Sequence, residues 1–154
     1  MKKLKDIAKI TAGYPFRGTI KTVPNSLVIA IQMKDVSVEN GINWSNCTRT
    51  VLLGKKTPTW LQANDILFTT RGMKNYAVHI DTSVNSYQAV PSPHFLVIQS
   101  TSPDVSSDYL AWALNQTACQ RYFQRSSEGS LTKSIRREVL EQCPILVPSL
   151  AEQQ

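Results

Sequence analysis

The sequence predicts an α+β fold with a mostly antiparallel or mixed β-sheet, one long helix and short flanking helices. Short apolar runs bounded by turn residues, such as residues 26–32 and 95–98, have the length and composition of buried strands. Residues from about 107 to 125 carry apolar side chains at i, i+3 and i+4 spacing, which is typical of a helix packed on a core. Strands and helices do not alternate regularly, so a doubly wound parallel sheet is not expected.

The first predicted element is an amphipathic helix over residues 2–10, in which Leu4, Ile7 and Ala8 share one face. The lysines around it either form a solvated face or contact a phosphate backbone. Residues 13–18, Gly-Tyr-Pro-Phe-Arg-Gly, then form an ordered turn whose aromatic rings plug the core.

A buried strand is predicted over residues 26–32, and Lys34 and Asp35 begin the surface loop that follows it. These two charged residues have two interpretations, as a solvated ion pair or as contacts to nucleic acid. Asn40-Gly41 marks a turn, and residues 48–53 form the next strand candidate.

Residues 66–70 and 76–80 are predicted to be the two strands of a hairpin, because a five-residue loop containing glycine separates them. The loop carries Arg71, Lys74 and Asn75. Arginine can bond guanine through two hydrogen bonds, and asparagine can bond adenine in the same way. These side chains are therefore either contacts to nucleic acid or the solvated groups of an ordinary exposed hairpin tip.

Two prolines precede the strand at residues 95–98, and Ser92 and His94 lie at its entry. His94 has the chemistry of a general base, but no Ser, Cys or acid stands at a spacing that indicates a catalytic partner. Such a histidine more often has a structural role or serves as a hydrogen-bond donor. His79 lies inside a strand of alternating polar and apolar residues, and it gives even less indication of a functional role.

The long helix is predicted to be capped by Ser106 or Ser107, and a strongly basic stretch follows it. Between residues 121 and 137 there are five cations and one acid. The two arginines at the end of the helix, Arg121 and Arg125, are explained by the helix dipole without any ligand.

The C-terminal end begins with a Gly/Ser loop, after which Ser134 is predicted to cap a short helix that ends before Pro144 and precedes a short buried strand. A helix N-terminus presents unpaired N–H groups, so cations beside it favour an anion site. The cations of this loop and first turn are Lys133, Arg136 and Arg137.

At 154 residues, 42% of them hydrophobic and 18% charged, the chain has the length and composition of one globular domain. Its three cysteines are widely spaced and form no CxxC pair, so reduced core cysteines are expected, without a zinc site. No apolar run follows the N-terminal lysines or reaches the length of a membrane span, and a cytoplasmic chain is expected. Lys and Arg outnumber Asp and Glu by 17 to 11, and the net charge of +6 favours a polyanionic partner.

Catalytic motifs are missing from the sequence. There is no Walker loop, GxGxxG, HExxH or GxSxG motif, and no pair of carboxylates is placed like a two-metal nuclease site. An adenine methyltransferase would also need a cofactor-binding sheet and an Asn/Asp-Pro-Pro-aromatic motif, and the sequence indicates neither. Catalysis by this chain alone is therefore not expected, and no cofactor is predicted.

Three stretches, taken in order, resemble a known family. They are residues 4–18, with the Gly-Tyr-Pro-Phe-Arg-Gly turn, residues 64–72, Asn-Asp-Ile-Leu-Phe-Thr-Thr-Arg-Gly, and residues 129–154. The last stretch combines a small-residue loop, an I-x-x-x-x-L helix, a strand and a P-x-L-x-E-Q ending. The ordered set resembles the target-recognition domain of the specificity subunit of type I restriction-modification systems, and it covers nearly the whole chain.

This resemblance implies a single DNA target-recognition domain over residues 1–154, ending where the family's spacer helix usually begins. It implies recognition of one half of a bipartite double-stranded DNA target. The DNA methyltransferase (M) and restriction (R) subunits would be partners once a spacer helix or second domain is supplied. The DNA-binding candidates are Arg17, Arg71, Lys74, Asn75, His94, Ser130, Lys133, Ser134 and Arg136.

Two alternatives to DNA recognition remain open at the level of sequence. The first is a protein-interaction module, such as an inhibitor or assembly factor of a restriction system, whose basic surface docks an acidic partner. The second, more distant, is a small hydrolase that uses His94.

Overall fold

A computed structural model describes residues 1–54, 56–127 and 134–154 of the protein. The strands in these ranges are β1 (Lys2–Lys3), β2 (Ala8–Ala12), β3 (Val28–Ile31), β4 (Val36–Ser37), β5 (Gly41–Ile42), β6 (Thr48–Thr50), β7 (Ile66–Thr69), β8 (Ala77–His79), β9 (Gln88–Pro91), β10 (Phe95–Ser100) and β11 (Pro144–Ile145). The helices are α1 (Leu4–Ile7), α2 (Ser107–Leu114), α3 (Thr117–Ser126) and α4 (Arg137–Glu141), with 3₁₀ turns at Met33–Asp35, Trp44–Asn46 and Thr82–Ser86. None of the described helices combines the length and apolarity needed to cross a membrane.

The central sheet has the strand order β2-β10-β7-β8, and each neighbouring pair in it is antiparallel. Successive side chains of a strand point to opposite faces, as β10 shows. Leu96 and Ile98 belong to a core shared with the helices, whereas Phe95 and Val97 belong to a core shared with the second sheet. β7 and the first part of β10 are therefore buried on both faces, which explains their continuous apolar sequences.

The second sheet has the order β6-β3-β9, in which β3 runs antiparallel to β6 and parallel to β9. Ile29 and Ile31 of β3 pack in one core with Leu67 and Val78 of the central sheet. Antiparallel and parallel pairs thus occur together, and the α+β fold predicted from the sequence is confirmed. The hairpin predicted on either side of Arg71 is also present, as β7 and β8.

The N-terminal helix predicted over residues 2–10 is wrong in extent, because only one turn, Leu4–Ile7, is helical. Before this turn, Lys2 pairs with Ile145 of β11, and after it β2 pairs along β10. These pairings with distant strands satisfy more backbone groups than a short isolated helix would. The apolar positions were nevertheless correct, since Leu4 and Ile7 are both fully buried.

The single long helix predicted over about 107–125 is also wrong, because α2 and α3 are separate helices broken at Asn115. The Asn115 side chain pairs with the backbone of Ala77 on the edge strand β8: its Oδ1 accepts from the Ala77 nitrogen at 2.7 Å, and its Nδ2 donates to the Ala77 carbonyl at 2.8 Å. The Gln120 amide then donates to the Leu114 carbonyl at the end of α2, at 2.9 Å. Polar side chains thus form hydrogen bonds with backbone groups at both the sheet edge and the end of α2, where a continuous helix is absent.

The C-terminal helix begins later than predicted. α4 starts at Arg137 with Arg136 in the N-cap position, so Ser134 is not the cap. The backbone nitrogen of Ile135 instead donates to the Thr70 carbonyl at 2.9 Å, which draws this segment against the hairpin tip. Of the buried strand predicted over residues 145–147, only Ile145 belongs to the two-residue β11, and Leu146 is exposed.

Candidate nucleic-acid interface

Several strand ends of the two sheets lie at the same end of the molecule. The last residue of β2 pairs with the second residue of β10, and the last residue of β7 pairs with the first. In the second sheet, the last residues of β3 and β9 pair with each other. The connections beyond these strands therefore meet at one surface, which we call the end face. It comprises residues 13–20, 32–35, 70–75, 92–94 and 134–136.

Backbone contacts hold the turn at residues 13–20 close to the end of β9 and to Ser92, which follows it. The Tyr14 nitrogen donates to the Pro91 carbonyl at 2.8 Å, and the Ser92 nitrogen donates to the Ile31 carbonyl at 2.9 Å. Gly13 approaches so closely that an added Cβ would lie 2.1 Å from the Ser92 carbonyl oxygen. Only glycine fits at this contact, which explains the first glycine of the Gly-Tyr-Pro-Phe-Arg-Gly turn.

Thr70 joins the hairpin tip to two further segments of the end face. Its backbone nitrogen and its hydroxyl both donate to the His94 carbonyl at 2.9 Å, and its carbonyl accepts from the Ile135 nitrogen at 2.9 Å. The structure therefore brings His94, Ser134 and Arg136 to the base of the tip. His94 and Arg136 are exposed there, and Ser134 is half-buried.

The hairpin tip presents two of its three predicted contact residues. Arg71 and Lys74 are exposed, but Asn75 is only 4% exposed. The Asn75 side-chain amide donates to the Thr69 carbonyl at 3.0 Å, and the backbone carbonyl of Asn75 accepts from the Gln120 amide at 2.8 Å. This corrects the assignment of Asn75 as a base-reading residue, because its side chain is committed to shaping the tip.

Arg17, the remaining basic candidate among the described residues, is exposed on the loop beside Gly18, whose φ of +68° favours glycine. Ser130 and Lys133 lie outside the described residues. A groove of about 580 Å³ runs across the end face between this loop and the turn at residues 92–94. Its lining includes Phe16, Gly18, Gln32, Met33, Lys34 and His94.

Lys34 is a cation of the end face whose role the sequence left open between an ion pair with Asp35 and a contact to nucleic acid. Its Nζ lies 2.7 Å from Asp35 Oδ1 and 2.8 Å from the Asn46 carbonyl. The pair is not solvated as one interpretation had it, since Asp35 is 1% exposed. The Asp35 carboxylate also accepts from the Gln32 nitrogen at 2.9 Å and from the Asn46 amide at 3.0 Å. The position of Lys34 directly after a buried strand was the sequence signal for a place at the end face.

A second, smaller cationic depression of about 280 Å³ lies beside the end face. It includes the side chains of Lys9, Lys56 and Arg137. Asp65 also lines it, but its carboxylate is buried and accepts from the Gln62 nitrogen and the Gln99 amide, both at 2.9 Å. Cations therefore extend from the end face along one side of the molecule.

The profile of the family described as "Type I restriction modification DNA specificity domain" matches residues 1–154. The chain belongs to this family. Membership confirms the resemblance drawn from the three sequence stretches, and it assigns this specificity domain a non-catalytic role in DNA recognition. None of the curated proteins is similar enough in sequence to count as a match.

Two solved structures have the same fold as this specificity domain. The type I restriction-modification system S subunit from M. genitalium matches with a TM-score of 0.64 and 14% identity, over 99% of this chain and 35% of that chain. The HsdS subunit from Thermoanaerobacter tengcongensis matches with a TM-score of 0.62 and 13% identity, over 99% of this chain and 34% of that chain. The specificity domain thus spans about a third of the length of these subunits.

None of the three cysteines combines exposure with a lowered pKa, as a reactive thiol does: the hydrogen bond with Cys143 lowers the pKa of Cys119, but Cys119 is only 4% exposed. Burial and the Asp35 carboxylate raise the pKa of the Cys47 thiol to about 12, so it stays protonated at neutral pH. Cys119 and Cys143 are buried, and contact with the Cys119 thiol together with burial raises the pKa of Cys143. In the part of the chain that the structure describes, no group of three or more His, Cys, Asp or Glu residues is placed to hold a metal ion.

Proposed function

We propose that this specificity domain uses its end face to recognise one half of a bipartite double-stranded DNA target of a type I restriction-modification complex. The observation that supports this proposal is the convergence of five chain segments at one surface, where four of them expose a lysine or arginine. Rigid, closely spaced donors are suited to base edges, and the cations around them are suited to phosphates.

The proposed contacts divide by chemistry. Arg71 carries a planar group with paired donors and is assigned to a base edge, whereas Lys74 and Arg17 are assigned to phosphates. His94 and Ser134 are assigned to polar base contacts beside the tip, and Ser130 is proposed as a further polar contact from sequence alone. Arg136, among the described residues, and Lys133, proposed from sequence alone, supplement the phosphate contacts.

The assembly in which this domain would act is proposed from the family. The domain spans about a third of the solved subunits, so the M and R subunits are proposed partners of a chain that also has a spacer helix or second domain. We propose that residues 1–154 form one target-recognition domain of such an assembly. Its place of action is the cytoplasm, where its DNA would lie.

Selection from random DNA duplexes at two salt concentrations tests the proposed function. Enrichment of a short sequence, with affinity that falls steeply as salt rises, is the expected result. Salt-sensitive binding without enrichment would leave a basic module without sequence discrimination and would contradict target recognition. Absence of binding would favour a protein partner instead.

The protein-interaction alternative is favoured by one observation. Met73, at the hairpin tip between the two cations, is 90% exposed. Exposed apolar side chains flanked by charge are common at protein interfaces. If Met73→Ala weakens binding to an acidic protein partner while duplex DNA is not bound by the unaltered domain, this alternative replaces DNA recognition.

A further inference from the structure

We propose that Lys34 is a specificity-determining residue that reads the acceptor-rich major-groove edge of a guanine. The inference rests on the proposed function, because it assumes that the end face meets duplex DNA. Lys34 belongs to the wall of the groove across the end face, and it also lines the adjoining depression toward Asn40 and Asn43. It is therefore exposed at the surface where the other proposed contacts converge.

The Lys34 ammonium group is fixed in place, unlike an ordinary surface lysine. Two of its three N–H bonds point to Asp35 Oδ1 at 2.7 Å and to the Asn46 carbonyl at 2.8 Å. Half of the side chain remains accessible to solvent, whereas the Asp35 side chain is fully buried. One donor of a pre-oriented ammonium thus remains for a ligand, since no further acceptor among the described residues bonds to Nζ.

Asp35, which we call the anchor of Lys34, is itself held in place. Asp35 ends the 3₁₀ turn after β3, and its second carboxylate oxygen accepts from the Gln32 nitrogen at 2.9 Å. The Asn46 amide, from the turn before β6, donates to the same oxygen that bonds Lys34, at 3.0 Å. The 3₁₀ turns after β3 and before β6 therefore each supply an acceptor for the Lys34 ammonium group.

The charge of this arrangement favours a base over a phosphate. Lys34 and Asp35 together are neutral, so the pair adds little to the long-range attraction of a polyanion. A phosphate needs only a mobile positive charge nearby, and Lys74 or Arg17 supply that without any anchor. What the anchored Lys34 supplies is a directed donor, and guanine O6 and N7 are the acceptors that lysine contacts most often in the major groove.

Matched variants separate base reading from phosphate attraction. Lys34→Met removes the donor and the charge, whereas Asp35→Asn keeps Lys34 but releases its anchor and raises the net charge by one. Lys5→Met is the control for charge, because Lys5 is exposed on α1, at the opposite end of β2 from the end face. Affinity is measured for the duplex selected by the unaltered domain and for every single base-pair substitution in it.

For Lys34→Met we expect the preference at one G·C position to fall about tenfold, with the preferences at other positions unchanged. Asp35→Asn should lose the same preference while binding unrelated duplexes as well as, or better than, the unaltered domain. A uniform loss across all duplexes in Lys34→Met, equal to the loss in Lys5→Met, would overturn the proposal. An intact preference in folded Asp35→Asn would overturn the role of the anchor.

Folding is checked by thermal unfolding, because removing Lys34 leaves the Asp35 carboxylate buried without its cation. If Asp35→Asn or Lys34→Met fails to fold, Lys34→Ala and Asn46→Ala take their places, since the first removes the donor with a smaller side chain and the second weakens the anchor alone. Loss of the single preference in either supports the proposal, and its retention in both overturns it. If the unaltered domain selects no sequence, the proposed function fails instead, so the two failures are distinguishable.

Discussion

The backbone nitrogen of Ile135 donates to the carbonyl of Thr70 at 2.9 Å, which joins the C-terminal basic segment to the hairpin tip across 65 residues of sequence. Thr70 also bonds the His94 carbonyl through its nitrogen and hydroxyl. One residue therefore links three of the segments that form the end face. The relative positions of their polar groups are set by the sheet beneath them, as rigid recognition requires.

The two exposed cations of the hairpin tip are expected to behave differently. Arg71→Ala should weaken binding to the selected duplex by about 1–3 kcal/mol and relax discrimination at one base pair. Lys74→Met should weaken all duplexes alike and lower the slope of log affinity against log salt by about one. Titrations of matched and mismatched duplexes at several salt concentrations measure both effects. Uniform loss in Arg71→Ala would contradict its assignment to a base edge.

Asn115 is expected to stabilise the fold more than its half-buried position indicates. Asn115→Ala removes both hydrogen bonds to Ala77 and leaves two backbone groups of the edge strand unpaired. A loss of about 1–3 kcal/mol in the free energy of unfolding is expected, measured by urea denaturation. Gln124→Ala, an exposed position on α3, is the control and should change stability by less than about 0.5 kcal/mol. Equal effects of the two substitutions would contradict the role of Asn115.

Gly13 and Gly18 bracket the same turn but should tolerate alanine differently. At Gly13 the added Cβ would lie 2.1 Å from the Ser92 carbonyl oxygen, so the two segments must separate. At Gly18 the space is open and only the φ of +68° opposes alanine, by roughly 1–2 kcal/mol. We expect Gly13→Ala to lower the melting temperature further and to reduce DNA affinity as well. Equal melting temperatures of the two variants would show that the close contact with Ser92 is dispensable.

Cys47 is expected to react slowly with alkylating reagents although it is only half-buried. Burial and the Asp35 carboxylate raise its pKa from 9.0 to about 12, and the thiolate is the reactive form. At pH 8, labelling of the native chain by iodoacetamide should be much slower than labelling of the urea-unfolded chain. Rapid native labelling of the peptide that contains Cys47, measured by mass spectrometry, would contradict this.

The raised pKa of Cys47 also determines the direction in which the stability of the fold changes with pH. Above about pH 9 the unfolded chain loses the Cys47 proton while the folded chain keeps it, so unfolding becomes more favourable as pH rises toward 12. Below pH 9 both states are protonated and this contribution is constant. Cys47→Ala should therefore lose less stability than the unaltered chain between pH 9 and 11.

The sequence predicted four strands of the core, because their apolar runs are bounded by clear turn residues, but it missed β2 and β9. β3, β7, β8 and β10 all lie where the pattern placed them. It also predicted the family, through short motifs that occur in the correct order along the chain. Each of these signals lies within a short stretch of sequence, so it can be recognised without knowing which elements are neighbours in the fold.

The helices were harder to predict for an equally physical reason. Residues 107–125 have a helical apolar stripe, yet Asn115 ends α2 because its amide pairs with Ala77, 38 residues away in sequence. Near the N-terminus, Lys2 and the residues of β2 pair with strands from distant parts of the chain. Periodicity does not report such non-local partners, and tertiary pairing overrides local helix propensity.

The sequence by itself determined that this protein is a basic α+β specificity domain whose candidate contacts follow strand ends. Only the tertiary structure decided which of them share a surface and which are internal. Asn75 and Lys34 show the difference, since the amide is buried in the tip and the lysine is held at the surface by a buried carboxylate. Whether a polar side chain faces solvent or a backbone group depends on distant segments that pack beside it, and local sequence does not contain that information.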